Sequence, residues 1–153
     1  MRTYAYLGRD RVEAGVTGAH IRSREDLRRF IDTTEHEAHG MIATFVVLHD
    51  GLHLAPRRSE HVRCAGGGEV LSAGEMTFEG DALVEVTNLS TGYCPDPESW
   101  AAVASALDLA GIEHPGSFTH AFVFRICSAC GQRNLIKDDV YECAVCNAEL
   151  RRM

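Results

Sequence analysis

The sequence predicts an α+β fold: a mostly antiparallel sheet, two helices and a small C-terminal module built on paired cysteines. Three observations lead to this prediction. Two stretches of β-forming residues are each interrupted by a tight-turn signal, as in β-hairpins. Two further stretches carry helix-capping residues followed by apolar side chains at helical spacing. Four cysteines then occur in two pairs near the C-terminus. We therefore expect a main domain over residues 1–120 and a separate module over residues 121–153.

The first helix is predicted to begin after Ser23. Ser23 is a good N-cap residue because its hydroxyl can accept a hydrogen bond from a backbone N–H of the first turn. Asp26 occupies the position from which a carboxylate reciprocates that cap. The apolar residues of the segment fall on one helical stripe: Leu27, Phe30 and Ile31. The segment is therefore typical of a short amphipathic helix.

The first predicted hairpin consists of Thr44–Leu48 and Leu52–Ala55. Both runs are rich in residues that favour strands. Asp50-Gly51 lies between them, and this dipeptide favours a two-residue hairpin turn.

The second predicted hairpin follows a break at three consecutive glycines, Gly66–Gly68. Its strands are Glu69–Phe78 and Ala82–Asn88, joined by a turn at Glu79–Asp81. In the second strand successive residues are expected to alternate between the two faces of the sheet.

The second helix is predicted to follow Asp96. Asp96 is expected to cap it, and Pro97 suits the first helical position because the N–H of that residue has no partner in a helix. Its apolar stripe consists of Trp100, Val103, Ala104 and Leu107. Gly111 is expected to end the helix. A final strand is predicted over Phe118–Cys127, where apolar side chains alternate.

The charge of the chain is negative overall and unevenly distributed. The formal net charge of −7 at pH 7 argues against non-specific binding of nucleic acid. Residues 1–30 carry an excess of arginine, whereas residues 64–119 contain nine acidic residues and no Lys or Arg. Two interpretations stay open: the two regions complement each other within the molecule, or the acidic region faces a basic partner.

The composition also predicts a bacterial cytoplasmic protein without a membrane segment. The first residues lack the apolar stretch of a signal peptide, and no apolar run is long enough to span a bilayer. Arginine outnumbers lysine by fourteen to one, as in proteins encoded by GC-rich bacterial genomes. In a reducing compartment, paired cysteines are expected to bind a metal rather than to form disulfides.

The paired cysteines predict a metal site. The four thiols, with the spacing C-x2-C-x12-C-x2-C, belong to Cys127, Cys130, Cys143 and Cys146. The second cysteine of each pair is followed by a residue type that tolerates positive φ, Gly131 in one pair and Asn147 in the other. Residues 126–150 therefore resemble a four-cysteine zinc ribbon. The resemblance implies one structural zinc ion, Zn2+, in a closed site that cannot activate water.

Three other interpretations of the cysteines are open. The same spacing resembles the rubredoxin-like iron site of rubrerythrins, although the sequence shows no sign of the upstream four-helix bundle with Glu-x-x-His pairs. The thiols could pair as disulfides, or the site could have lost its metal.

The loop between the cysteine pairs, residues 132–139, has balanced charge, which favours a protein partner or self-packing over a phosphate backbone.

The central segment, residues 61–97, supplies a separate hypothesis. In order along the chain it contains His61, Gly67-Gly68, Val70, Ala73-Gly74-Glu75, Asn88, Ser90, Tyr93 and Pro95. This order is similar to a segment that recurs near the C-termini of bacterial polymorphic-toxin and conflict-system proteins. The similarity departs at Val62-Arg63 and Thr91-Gly92, where that segment carries two serines and Gly-His. The resemblance implies a site without naming a reaction.

Four residues of this segment are candidate catalytic groups: His61, Glu75, Ser90 and Tyr93. His61 and Glu75 could supply acid–base chemistry, while the hydroxyls could bind a substrate beside glycine-rich turns. In the alternative interpretation, residues 90–95 only connect a strand to the next helix, and His61 lies on the surface.

Other histidines give weaker signals. His36 and His39 are three residues apart and could share a second metal on a helix, with a solvated polar loop as the alternative. His49 and His53 flank the first hairpin turn and are expected to be exposed.

Two functions from different classes follow from these features. The first is a zinc-binding module that binds a protein partner or a small-molecule ligand, with self-association into a homo-oligomer also open. The second is a small enzyme, a hydrolase or transferase acting on a nucleotide-like or modified substrate, with its site in residues 61–97. The fingerprints G-x-S-x-G, G-x-G-x-x-G, H-E-x-x-H and the P-loop are absent from the sequence. The sequence therefore leaves the choice between enzyme and binding module open.

Overall fold

The structure, a computed structural model, describes residues 2–7, 18–34, 40–90 and 92–151. The chain divides into two compact units, Met1–Ala121 (the main unit) and Phe122–Met153 (the ribbon unit). Its described residues contain three helices and seven strands, and the sheets are mostly antiparallel. The predicted α+β class is therefore confirmed. His36 and His39 lie outside the described residues.

The main unit is built on a five-stranded sheet. Its strands are β1 (Ala19–Ile21), β2 (Met41–Leu48), β3 (Gly51–Pro56), β4 (Ser72–Glu79) and β5 (Ala82–Thr87). The spatial order is β1-β3-β2-β4-β5, and each neighbouring pair is antiparallel. The two predicted hairpins correspond to β2–β3 and β4–β5. The edge strand β1 was not predicted because three residues are too few to show an alternating pattern.

Three helices and a 3-10 turn complete the described part of the main unit. They are α1 (Arg24–Thr33), α2 (His61–Cys64), the 3-10 turn Pro97–Ser99 and α3 (Trp100–Leu109). The sequence predicts α1 and α3. The single turn of α2 escapes prediction because four residues carry no helical period. None of the described helices is both long and apolar enough to cross a membrane.

The N-terminus of α1 is capped as the sequence predicts. The Ser23 hydroxyl accepts a hydrogen bond from the Asp26 backbone N–H at 3.1 Å. The Asp26 carboxylate in turn accepts from the backbone N–H of Arg22 at 2.9 Å. The predicted stripe of Leu27, Phe30 and Ile31 is buried. Local capping and burial of one face therefore act together to fix this helix.

The start of α3 differs from the prediction. The Asp96 side chain makes no capping hydrogen bond; its carboxylate pairs with Arg2 at 2.5 Å instead. The guanidinium of Arg2 therefore takes the carboxylate that was expected to cap the helix, and the chain enters α3 through the 3-10 turn. Gly111 follows the helix with φ +71°, a left-handed conformation that favours glycine.

The β4–β5 hairpin contains a bulge that the sequence does not predict. The strand pairing shifts register between Thr77 and Phe78, which leaves Val84 as an extra residue on β5. Leu83 and Val86 are consequently both buried, whereas Val84 is 36% exposed. The predicted regular alternation of this strand is therefore wrong at the bulge.

Two hydrophobic clusters lie on opposite faces of the sheet. Successive residues of a strand point to opposite faces, and Phe45 belongs to the first cluster while Val46 belongs to the second. The first cluster includes Leu27 of α1 and Val103 of α3. The second includes Val62 of α2. The main unit thus has one face covered by the two long helices and another covered by the short one.

Ion pairs join the arginine-rich N-terminal region to the acidic segment. Arg28 lies 3.1 Å from Asp81, and Arg2 pairs with both Asp96 and Glu98. Three of the nine acidic side chains of residues 64–119 therefore face arginines of the same chain. These contacts favour intramolecular complementarity as the reason for at least part of the uneven charge.

The ribbon unit contains a hairpin of β6 (Val123–Ile126) and β7 (Arg133–Ile136). The predicted strand Phe118–Cys127 is not continuous, because the boundary between the two units falls at residues 121 and 122. The small core of the unit comprises Cys127, Cys143 and Leu150, with Ile136, Tyr141 and Ala148 packed against it. A core of this size gives little burial, which is the usual reason for a metal in so short a module.

Candidate metal centre

The four paired cysteines converge at one point of the ribbon unit. Their Sγ atoms all lie within 4.8 Å of one another. The short distances run between the pairs: 3.5 Å from Cys127 to Cys146 and 3.6 Å from Cys130 to Cys143. A tetrahedral zinc site with bonds of about 2.3 Å holds its sulfurs about 3.8 Å apart. The arrangement therefore fits a four-coordinate metal ion, and none of the six cysteines, all of which the structure describes, forms a disulfide.

Each cysteine pair is presented by a tight turn. The Gly131 N–H donates to the Cys127 carbonyl at 2.8 Å, and the Asn147 N–H donates to the Cys143 carbonyl at 2.9 Å. Gly131 and Asn147 both have positive φ, +77° and +63°. The expectation that these two residues adopt the left-handed conformation is confirmed, and the two turns are equivalent in backbone geometry.

Backbone amides inside each turn favour the thiolate form of its first cysteine. Amide hydrogen bonds from Cys146 and Val145 lower the pKa of Cys143 to about 6. The corresponding amides of Cys130 and Ala129 lower the pKa of Cys127. A metal binds thiolates and not thiols, so these turns prepare two of the four ligands for coordination.

The second cysteine of each turn has the opposite tendency. The Gln132 amide acts to lower the pKa of Cys130, but burial and hydrogen bonds with the other cysteines outweigh it and raise that pKa to about 12. For Cys146, hydrogen bonding with Cys127 likewise overcomes the effect of the Ala148 amide and raises the pKa. Without a cation the cluster must retain protons between its sulfurs. A divalent cation can replace them, which is the behaviour expected of a metal site.

Asn134 supports the second turn from β7 and was missed by the sequence analysis. Its Oδ1 accepts a hydrogen bond from the Ala144 N–H at 3.0 Å, and its Nδ2 donates to the Gln132 carbonyl at 3.0 Å. The side chain is buried, with 6% exposure. A polar residue at a buried position of a short strand is the only sequence signal that could have indicated it.

Three of the four candidate catalytic residues are engaged with backbone carbonyls in the main unit. His61 is buried, and its Nε2 lies 2.8 Å from the Gly74 carbonyl; burial lowers the pKa of His61 despite this hydrogen bond. Tyr93 is fully buried and donates to the Gly68 carbonyl at 2.6 Å. Ser90 donates to the Tyr93 carbonyl at 2.9 Å. These contacts hold α2 and the loops on either side of the β4–β5 hairpin.

Glu75 is half-buried on β4, where it is paired with Thr44 of β2 and Thr87 of β5. His61 reaches Gly74, the neighbour of Glu75 on the same strand, so the structure brings His61 and Glu75 to one stretch of β4.

A cavity of about 360 Å³ opens elsewhere on the main unit. Its lining comprises Arg24, Leu27, Asp81, Ala82, Leu83, Ile112, Glu113, His114 and Pro115. None of the four candidates lines that cavity, and their catalytic assignment stays a prediction.

Comparisons with models of known protein families, with curated proteins and with solved structures find no match to this chain. The similarity of residues 61–97 to toxin-associated proteins therefore gains no support from them. The fold and the site define an α+β protein whose C-terminal unit holds four cysteines in a cluster able to bind a metal ion. Function has to be argued from this geometry.

Proposed function

We propose that this chain is a bacterial cytoplasmic zinc-binding module that binds a protein partner or a small ligand, and that its zinc is structural. The observation that carries the proposal is the closed set of four thiols, whose Sγ atoms lie within 4.8 Å of one another. Four protein ligands fill a tetrahedral coordination sphere and leave no position for water or substrate. The ion therefore shapes the ribbon unit and does no chemistry of its own.

Zinc is favoured over iron by the architecture of the main unit. A rubrerythrin-like iron site accompanies a helical bundle with a di-iron centre, whereas the described part of the main unit is a five-stranded sheet with short helices. Zinc also suits thiolate ligands in tetrahedral geometry and needs no redox partner. Four-thiolate zinc is thus the simplest occupant of the cluster.

Exposed apolar side chains on the ribbon unit favour a protein partner. The four large ones are Ile126, Leu135, Val140 and Val145, with exposures of 46%, 38%, 56% and 66%. Burial of these side chains against a partner would be favourable, which supports a contact surface on this unit. The small-ligand alternative is supported by the cavity of about 360 Å³, whose lining combines charged side chains such as Arg24 and Asp81 with apolar ones such as Leu27.

Native mass spectrometry of the full chain tests the metal. We expect one zinc ion in the wild-type protein, none in Cys143→Ser and one in the matched control Cys94→Ser. Cys94 is a partly buried cysteine of the main unit and lies outside the cluster. A mass increment of iron, a red colour, or zinc retained in Cys143→Ser would contradict the proposal.

Surface substitutions test the partner. The variant Val145→Asp is expected to lose a specifically co-purified protein while keeping its zinc, because Val145 is exposed within the second cysteine turn. Leu109→Asp is the matched control, since Leu109 is an exposed apolar residue of the main unit, with 81% exposure. Equal recovery of every co-purified protein by the two variants would count against the ribbon unit as the docking surface.

A further inference from the structure

A second group of metal-ligating side chains lies on the main unit. His20 of β1 and His53 of β3 are direct partners across the antiparallel strand pair, and their rings stack with centroids 4.5 Å apart at an interplanar angle of 15°. His53 was expected to be exposed at the hairpin turn. It is buried instead, with 4% exposure, because β1 covers the strand that carries it.

Asp50 completes this group from the turn between β2 and β3. Its Oδ1 lies 2.7 Å from His53 Nε2, and its Oδ2 lies 3.8 Å from His20 Nδ1. One ligand atom from each of the three residues lies within 4.8 Å of the others. A metal with bonds of about 2.0–2.2 Å holds neighbouring nitrogen and oxygen ligands about 3.3–3.6 Å apart in tetrahedral geometry. Small side-chain rotations are therefore enough to close the group around one ion.

The charge of the group suits a divalent cation. The carboxylate of Asp50 supplies a negative charge at neutral pH. It stands beside two imidazoles that can coordinate in their neutral form.

The hydrogen bonds of His20 leave the lone pair on Nδ1, where it accepts from Arg22, 3.8 Å from Asp50 Oδ2. Its Nε2 lies 2.8 Å from the Asp50 backbone carbonyl, which can only accept, so Nε2 carries the hydrogen. Its Nδ1 accepts a hydrogen bond from Arg22 Nε at 3.0 Å. An imidazole held by an N–H bond to a backbone carbonyl, with its other nitrogen unprotonated, is the usual state of a metal-ligating histidine.

His53 can coordinate a metal through Nε2 if its ring hydrogen moves to Nδ1, where no existing hydrogen bond is lost. Its Nε2 donates to the Asp50 carboxylate. Its buried Nδ1 has no hydrogen-bond partner within the described parts of the chain. Transfer of the ring hydrogen from Nε2 to Nδ1 would replace the hydrogen bond to Asp50 by a metal bond at Nε2. Its cost is a buried N–H at Nδ1 without an acceptor, which the metal bond has to outweigh.

We propose that His20, Asp50 and His53 form a second metal site for a divalent first-row transition ion of the zinc, cobalt or nickel type. Two imidazole nitrogens select this class over Mg2+ and Ca2+, which prefer oxygen ligands. Three protein ligands leave at least one coordination position open. The Asp50 side chain is 58% exposed, so that position faces solvent, and the ion is exchangeable and accessible to a small ligand, unlike the closed four-cysteine cluster.

The position of Arg22 predicts the direction in which metal affinity changes when this residue is replaced. Its exposed guanidinium occupies the lone pair of His20, and it must move away before a cation can bind there. Replacement of Arg22 by an uncharged residue removes the hydrogen bond that competes with the metal for His20 Nδ1. It also removes the repulsion between the guanidinium and the bound cation. The variant Arg22→Gln is therefore expected to bind the metal more tightly than the wild-type protein.

The test is a calorimetric and visible-absorption titration of the full chain with Co2+, after one equivalent of zinc has filled the cysteine cluster and unbound zinc has been removed. We expect one Co2+ to bind without thiolate charge-transfer absorption. Affinity should fall about tenfold or more in His20→Gln and Asp50→Asn and rise in Arg22→Gln. Asp50→Asn retains a favourable hairpin turn because Asn-Gly replaces Asp-Gly. The matched control is His49→Gln, an exposed histidine of the same turn outside the group.

Several results would overturn the proposal. They are the absence of Co2+ binding in the wild-type protein, unchanged affinity in both His20→Gln and Asp50→Asn, and equal loss in His49→Gln. Thiolate charge-transfer bands would show that Co2+ had entered the cysteine cluster instead. The zinc content of the ribbon unit is measured in the same samples, so failure of this site is distinguishable from failure of the four-cysteine site.

Discussion

Trp100 and His114 meet edge to face, with ring centroids 5.6 Å apart and an interplanar angle of 72°. His114 is held by two acceptors, the Pro115 carbonyl 2.7 Å from Nδ1 and the Asp108 carboxylate 2.8 Å from Nε2. The bond to Pro115, reinforced by Asp108, raises the pKa of His114 above its ordinary value of 6.5 despite partial burial. Trp100 is the only tryptophan of the chain, so tryptophan fluorescence reports on its surroundings, which include His114 and Phe118.

The fluorescence of Trp100 is therefore expected to change with pH, with a midpoint above pH 6.5. Below that midpoint the protonated imidazole of His114 quenches the indole. Because the folded state has the higher pKa, the stabilisation from His114 is complete below the unfolded pKa and is lost as pH rises through the folded pKa. The variant Asp108→Asn should shift the fluorescence midpoint to lower pH. A fluorescence titration checks this, with His120→Gln as an exposed-histidine control. An unchanged midpoint in Asp108→Asn would show that Asp108 does not hold the proton.

The hydrogen bond between His61 and Gly74 predicts the effect of removing that imidazole. His61→Ala leaves the buried Gly74 carbonyl without this donor and opens space beside α2, which should cost about 1–3 kcal/mol of unfolding free energy. Urea unfolding measures the change. The exposed neighbour Arg63→Ala is the control and should stay within about 0.5 kcal/mol of the wild-type protein.

The same variant separates the two functional classes. If His61 acts in catalysis, the folded His61→Ala protein would lose an activity in addition to the loss of stability expected from the broken hydrogen bond. Loss of stability with unchanged ligand or partner binding would support the interpretation that residues 61–97 shape the main unit. The contacts of Ser90 and Tyr93 with backbone carbonyls are of the same kind and favour this outcome.

Features with a local cause could be predicted from the sequence. The Ser23 cap, the turn of the β2–β3 hairpin and the two positive-φ residues beside the cysteine pairs each depend on a few adjacent residues. The hairpin turn lies one residue earlier than predicted, at His49 and Asp50, because Gly51 already pairs with Leu48. For the same reason the spacing of the cysteines was sufficient to indicate a metal site. These signals are carried by steric and hydrogen-bonding preferences that act within one turn of the chain.

Features that depend on distant pairing could not be predicted. His53 is buried because β1, more than thirty residues earlier, pairs with β3. Asp96 fails to cap α3 because Arg2 approaches it from the other end of the sequence. Gly74 shows no turn signal, yet a Cβ at this position would collide with the Thr87 carbonyl of β5. In each case the cause is a tertiary neighbour and not the local pattern.

Removal of the metal should act on one unit only. The ribbon unit has its own small core around Cys127 and Cys143, and such a core is expected to unfold without an ion. The main unit has a separate and much larger core. Addition of a chelator is therefore expected to collapse the backbone amide signals of residues 122–151 in two-dimensional NMR. The indole signal of Trp100 should stay in place, and its loss in step with the ribbon signals would contradict independent folding of the two units.

Asn134 is expected to be the most sensitive position of the ribbon unit outside the cysteines. Its Oδ1 bond to the Ala144 N–H fixes the turn that presents Cys143 and helps to lower the pKa of that thiol. Asn134→Ala leaves this amide unpaired and loosens the turn, so zinc affinity should fall about 10–100-fold. Competition with a chromophoric chelator measures the affinity. Gln132→Ala is the control, because the Gln132 side chain is exposed and only its backbone carbonyl, which the substitution keeps, contacts Asn134. An affinity of Asn134→Ala equal to that of Gln132→Ala would mean that the backbone of the turn orients Cys143 without help from β7.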